Sequence, residues 1–268
     1  MCIAGSVGRN GHNHFRDVKT VQILLNLSRL PSTAEAIPED GKCGRATVAR
    51  IQQLQSVALT DPAPDGLVTP GGVVLFALGL AVPADLNIAI LRGIMMHHQV
   101  QHAQVSLANA ARYLPHFKSY MPKYGINTRL RKAHFLGQIA LETNLLLWSE
   151  ELASGSAYED RDDLGNTEPG DGQRFKGRGL LQVTGRSNYQ LYGDDISMNM
   201  LVSPNEKTLS TDPAQAVRSA CWFWYYNNLN DPADEDNGTA VSRIINGRHS
   251  KTLKERAFYT ARAKFFLK

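Results

Sequence analysis

Ala140–Glu151, ALETNLLLWSEE, and Arg174–Tyr189, RFKGRGLLQVTGRSNY, carry the reading of this chain. The first closes an apolar helical pattern through Phe135, Leu136, Ile139 and Ala140, and it holds two acidic positions, Glu142 and Glu151. On one unbroken helix, residues nine apart would stand on opposite faces, about 13 Å apart along the axis. They could not then share a substrate. A helix that ends near Asn144 would let the chain turn and bring Glu151 back across a cleft. Two carboxyl groups about 6.5–9.5 Å apart leave room for a water, the arrangement of an inverting glycosidase. The spacing therefore predicts a broken helix and a two-carboxylate site.

Such a pair needs one acid that holds its proton and one base that stays ionised. Glu142 ends the apolar segment, where desolvation favours the protonated form, and is the expected general acid. Glu151 lies in polar surroundings, between Glu150 and the Ser154-Gly155-Ser156 stretch, and is the expected general base. Glu150, about 80° from Glu142 on an ideal helix, is the rival for that role. The alternative is that these are ordinary surface glutamates at a helix end.

HFLGQIALETN, the SEELASGSAYEDRDDLGNTEPGDGQRFKGRGLLQVTGRSNY stretch and VSRIING at Val241–Gly247 together resemble the glycoside hydrolase family 19 domain, in the branch used by bacteriophage endolysins. The resemblance implies that Glu142 and Glu151 are the catalytic acids and that Thr184 orients the attacking water. It implies that Gln182, Asn188, Tyr189 and Asn246 contact sugar and that Arg178 braces the loop. Tyr158, beside the polar loop, is a further candidate sugar contact. Two departures stand out: the family's His-Glu with a following Gly pair reads Leu141-Glu142 with Asn144-Leu145, and the Gly pair after Ile-Asn reads Gly247-Arg248.

The 268 residues suffice for one large or two modest domains, and 43% hydrophobic with 20% charged residues describes a globular chain. Val18, Val21, Leu24 and Leu25, then Thr47, Val48, Ile51 and Leu54, follow helical spacing. Two Asp-Gly turns, Asp40-Gly41 and Asp65-Gly66, each precede an apolar run. DGKCGRATVARIQQLQ with DGLVTPGGVVLFAL resembles the peptidoglycan-binding module of wall hydrolases; the alternative is a helical cap without sugar affinity. The expected architecture is mainly α: a small three-helix wall-binding domain over residues 1–82, then a larger, lysozyme-like, two-lobed helical catalytic domain over 83–268. Helices are expected at 105–114, 128–141, 213–226, 239–245 and 253–267, and Asp85 is the expected cap of the run from Leu86 to Met95. Residues 155–179 should form a long loop with at most a short strand pair near Phe175 and Leu181.

The formal charge of +4 suits an anionic partner: peptidoglycan with acidic polymers, nucleic acid or an anionic membrane. No run of five basic residues and no basic strand interleaved with aromatics supports nucleic acid, and the uncharged stretch 66–84 is broken by Pro and Gly and too short to span a bilayer. Cys2, Cys43 and Cys221 are scattered and read as reduced thiols, Cys221 as a packing residue. The His98/His102 pair has helical spacing for a metal but no visible third ligand, and His12 and His14 read as a polar N-terminus, so no metal or cofactor is expected. Exposed positions among Trp222, Trp224, Tyr225 and Tyr226 could stack sugars, though most must be core. No signal peptide opens the chain. The reading is therefore a monomeric endolysin made in the host cytoplasm, released by a holin, and cutting the β-1,4 bond between N-acetylmuramic acid and N-acetylglucosamine with inversion. A lytic transglycosylase, a chitinase and an inactive wall-binding protein are the alternatives.

Overall fold

The computed structural model describes residues 2–28, 35–96, 100–247 and 251–268. It is mainly helical. The elements run β1 (Val7–Gly8), α1 (Phe15–Ser28), α2 (Arg45–Ala58), β2 (Leu67–Val68), α3 (Val73–Leu80), α4 (Ile88–Ile94), α5 (Val100–Lys123) and α6 (Arg129–Glu142). After the long loop come α7 (Asp171–Arg174), α8 (Arg186–Ile196), α9 (Thr208–Thr211), α10 (Pro213–Tyr226), α11 (Asn230–Asp234), α12 (Gly238–Asn246) and α13 (Leu253–Phe266). His98 and Arg248, which figured in the sequence reading, lie outside the described residues.

The first three helices pack on one another and are tied by an antiparallel pair, Val7 with Val68 and Gly8 with Leu67. The two Asp-Gly turns are clamped alike. Gln22 of α1 accepts from Gly41 N at 2.8 Å and donates to Asp40 Oδ1 at 2.9 Å. Gln55 of α2 accepts from Gly66 N at 2.8 Å and donates to Asp65 Oδ1 at 2.6 Å. Both glutamines and both turn glycines are buried while Asp40 and Asp65 face solvent, so each glutamine satisfies a glycine N–H that water cannot reach.

Helix α6 is the central rod of the larger part. Thr128 caps it, accepting from Arg131 N at 3.2 Å. Ala133 to Ala140 are buried on every side, as expected of a helix enclosed by others. It crosses α13 closely at Gly137, where an added Cβ would stand 2.8 Å from Thr260 Cα. Phe135 packs edge-on against Trp224 of α10 and Phe117 of α5.

The C-terminal helix joins the two parts. Fully buried Arg262 of α13 donates to Gly93 O at 2.6 Å, Cys2 O at 2.9 Å and Thr20 Oγ1 at 3.0 Å, and burial lowers its pKa to about 10. The buried hydrophobic side chains accordingly form one cluster, from Cys2 to Leu267.

Two local expectations are corrected. The cap of α4 is Asn87, which accepts from Ala89 N and Ile90 N at 3.0 Å, because its side chain stands one residue before the helix whereas Asp85 stands three before it. Helix α5 passes through Pro115 and Pro122 to Lys123, since packing of Tyr113, Phe117 and Met121 sustains it across two missing amide hydrogen bonds. Near Phe175 and Leu181, where at most a short strand pair was expected, the pairing consists of isolated bridges, Glu150 with Arg178 and Arg178 with Val183. No described helix is long and apolar enough to cross a membrane.

Candidate active site

Helix α6 ends at Glu142 through a local side-chain switch. Buried Thr143 donates its hydroxyl to Ile139 O at 2.7 Å and accepts from Leu146 N at 2.8 Å. Asn144, Leu145 and Leu146 then take left-handed φ values of 47°, 62° and 67°. Each costs a non-glycine residue about 1–2 kcal/mol. Burial of Leu145 and Leu146, 2% and 1% exposed, offsets this at about 1.5–3 kcal/mol apiece. Ser106 and Asn109 of α5 donate to the Leu145 and Leu146 carbonyls at 2.6 and 2.7 Å, so the turn is held from both backbone and core. The Gly pair of the family pattern is replaced here by residues that adopt the glycine-like conformation nonetheless.

Beyond the turn the chain runs against the 177–179 segment, with Glu151 N donating to Gly177 O at 2.9 Å and Gly179 N to Ser149 O at 2.8 Å. The two adjacent glutamates separate here. Glu150 pairs with Arg178 Nε at 3.0 Å and Lys176 Nζ at 3.2 Å; its partial burial works to raise the carboxyl pKa, and these two cations override that and hold it below the usual glutamate value. Glu151 accepts from Tyr158 OH at 3.0 Å and from Gly177 N at 3.3 Å. Burial, reinforced by the Glu151 carboxylate, pushes the Tyr158 phenol up, which keeps it protonated as a donor. Glu150 is thus tied to the loop, while Glu151 is held by a phenol and a backbone N–H.

Gly177 is the meeting point of the loop. A Cβ there would lie 2.8 Å from Gln182 Oε1 and 3.2 Å from Thr184 Oγ1, so both side chains converge on the residue whose N–H faces Glu151. Gln182, at φ 54°, donates to Gly179 O at 2.9 Å; the Thr184 hydroxyl donates to Gln182 O at 2.8 Å, and Asn188 Nδ2 to Thr184 O at 2.8 Å. The surrounding loop is pinned by buried Asp171, which accepts from Arg186 twice at 2.7 Å, and by Asn166, which donates to Tyr158 O and accepts from Arg186 N at 2.8 Å.

The structure thus gathers Glu151, Tyr158, Gln182 and Thr184 around Gly177, with Asn188 behind Thr184. Arg178 and Tyr189 lie beneath. Tyr189 is 0% exposed, its hydroxyl donating to Lys176 O at 2.8 Å and accepting from Arg178 Nη1 at 3.2 Å. Its expected role as a sugar contact is corrected: it is a buried strut, with no face open to a ligand. Arg178, 4% exposed, is likewise a brace and not a surface. Asn246 is exposed at the end of α12.

The surroundings of Glu142 differ from the expected apolar ones. Its carboxylate is paired with Arg256 of α13, whose guanidinium also donates to buried Gln138 Oε1 and, through Nε, to Thr252 Oγ1 at 3.1 Å. Desolvation is therefore not what singles out Glu142; a guanidinium fixes its carboxylate at the helix end. Sequence reasoning missed Arg256, Gln138 and Lys176. Gln138 carried a signal, standing four residues before Glu142 on one helix face, whereas Arg256 is 114 residues away and had none.

The family model described as chitinase class I matches residues 107–258, more than half of the chain. The chain belongs to glycoside hydrolase family 19. It is 32% identical to "Endochitinase A" of Zea mays over 115 residues, 43% of this chain and 39% of that protein. It is 31% identical to a "Glycosyl hydrolase family 19 domain-containing protein" of Haemophilus influenzae over 97 residues, 36% of this chain and 45% of that one. The chain spans less than half the length of these relatives. Its fold is similar to that of chitinase C from Streptomyces griseus, with a TM-score of 0.50 and 18% identity over 67% of this chain and 91% of that one. In this family 19 chain the matched region contains Glu142, the left-handed turn, Glu151, the whole loop and Arg256.

Proposed function

We propose that the chain hydrolyses β-1,4 links between N-acetylhexosamine units with inversion, and that its polymer is bacterial peptidoglycan, cut between N-acetylmuramic acid and N-acetylglucosamine. Glu142 protonates the leaving oxygen. Glu151, steadied by Tyr158 and the Gly177 N–H, draws the proton from a water that Thr184 orients, while Gln182, Asn188 and Asn246 hold sugar. The observation that carries this reading is the three-residue left-handed turn that ends α6 at Glu142 and returns the chain so that Glu151 meets the Gly177–Thr184 loop. Residues 1–82 serve as a wall-binding module for a monomeric enzyme. In a phage setting it would be an endolysin, accumulating in the host cytoplasm until a holin admits it to the wall.

Purified sacculi and chitin digested with wild type, Glu142→Gln and Glu151→Gln provide the test. Each substitution should lower turnover by about 10²–10⁴, and the new ends should be reducing sugars released as the inverted anomer. Unchanged turnover in Glu142→Gln defeats the assignment, and anhydro-muramic ends make the enzyme a transglycosylase. Chitin is the second reading, favoured by the likeness to the endochitinase of Zea mays. Faster release from chitin than from sacculi selects it.

A further inference from the structure

Glu151 is gripped by two consecutive residues of the loop. Gly177 accepts from the Glu151 main-chain N–H at 2.9 Å and donates to its carboxylate at 3.3 Å. Lys176 takes the other side: its ammonium donates to Glu151 O at 3.0 Å and to Ala153 O at 3.3 Å. The same nitrogen stands 3.2 Å from Glu150 Oε1. An ammonium carries three hydrogens and accepts nothing, so residues 150–153 occupy it completely. Lys176 is itself seated from beneath, where the hydroxyl of buried Tyr189 donates to its carbonyl at 2.8 Å.

A planar peptide leaves only φ and ψ free at each residue, so holding the planes on both sides of Glu151 fixes the direction in which its side chain departs. Gly177 holds the plane before it, and Lys176 holds the plane after it. Packing does not do this second job. Leu152, Ala153 and Ser154 are all exposed, so the chain just beyond Glu151 has little buried surface to anchor it. The ammonium pairs with the carboxylate of Glu150 but bonds Glu151 through the main chain, so the cation steers the backbone without tying up the second acid.

We propose that Lys176 is a positioning residue for the base: by holding the main chain on the carbonyl side of Glu151, it keeps that carboxylate aimed at the water that Thr184 orients. The role of Glu151 as base rests on the proposed function. The grip of Lys176 on the chain does not, and it is measured without turnover.

Lys176→Met keeps the stem and removes the ammonium; Ala153 is exposed and Glu151 half-buried, so water can solvate the released carbonyls and the fold should persist. In ¹⁵N-labelled full-length protein the Glu151 amide hydrogen should exchange about tenfold faster in this variant than in wild type, with that of Ile139 inside α6 unchanged. On soluble fragments of sacculi or of chitin, whichever wild type cleaves faster, kcat should fall about 10–100-fold, the loss that a misplacement of about 1 Å brings, with KM within about twofold of wild type. Because the loss passes through Glu151, adding Lys176→Met to Glu151→Gln should lower turnover no further. Lys176→Gln, which keeps one donor without the charge, carries the test with the same directions if Lys176→Met does not fold. Equal exchange in variant and wild type overturns the grip. Faster exchange with unchanged kcat, a rise in KM alone, or a full further loss in the Glu151→Gln background overturns the positioning role. Failure of the base assignment looks different: Glu151→Gln itself then turns over normally, which removes the role together with the assignment while the exchange result stands.

Discussion

Replacing Arg256 by Ala removes the group on which Glu142 and Gln138 both depend. The guanidinium is on a residue 2% exposed, and Gln138 is 0% exposed, so its amide oxygen would be left without water or partner. An unsatisfied buried acceptor costs about 1–3 kcal/mol. Breaking a fully buried ion pair costs about 3–5 kcal/mol. The Glu142 side chain is 20% exposed, so water recovers part of that penalty, and about 2–4 kcal/mol is expected in all. For a protein of this size that corresponds to a fall in melting temperature on the order of 5–15 °C, read by circular dichroism at pH 7. The double cycle with Glu142→Gln isolates the pair, with a coupling of about 1–3 kcal/mol expected. A melting temperature within about 2 °C of wild type, or additive single effects, would refute the claim that this guanidinium fixes Glu142.

Asp171 is the anchor of the loop. Its burial works to raise its carboxyl pKa, but the two bonds from Arg186 and the Glu168 N–H outweigh this and hold it below the ordinary 3.8. Its contribution is therefore present above that value and is lost as pH falls through the depressed one. Hydrogen-exchange protection of residues 152–173 should vanish in Asp171→Asn even at neutral pH, and in wild type only in acid; equal protection in both proteins contradicts this. Gly137→Ala would place a methyl 2.6 Å from Thr260 Oγ1 and 2.8 Å from its Cα, separating α6 from α13 and destabilising the fold by about 1–3 kcal/mol in urea unfolding. Native protein should expose one reactive thiol of three to an aromatic disulfide reagent, Cys43. Burial pushes Cys2 up to about 11 and Cys221 well above its ordinary value, so a rapid second equivalent would argue against this packing.

Local chemistry determined much of this protein in advance. Apolar residues at helical spacing set α1, α2, α6, α10 and α13, because such a face is stabilised by burial, and Thr128 and Asp212 cap their helices locally, through side chains that reach amides two or three residues on. The break after Glu142 was legible from the chemistry a pair of acids requires, although it runs through Asn144, Leu145 and Leu146, of which only the asparagine favours a left-handed turn. Tertiary structure decided what depends on partners distant in sequence. Whether Tyr189 faces sugar or supports the loop is set by Lys176 and Arg178, whether Glu150 or Glu151 is tied down is set by the same two cations, and Glu142 owes its setting to Arg256 on the last helix. Short-range periodicity reports which face of an element is buried. It carries no information about which charged side chain arrives from across the fold, and that arrival is what gives each acid its neighbours.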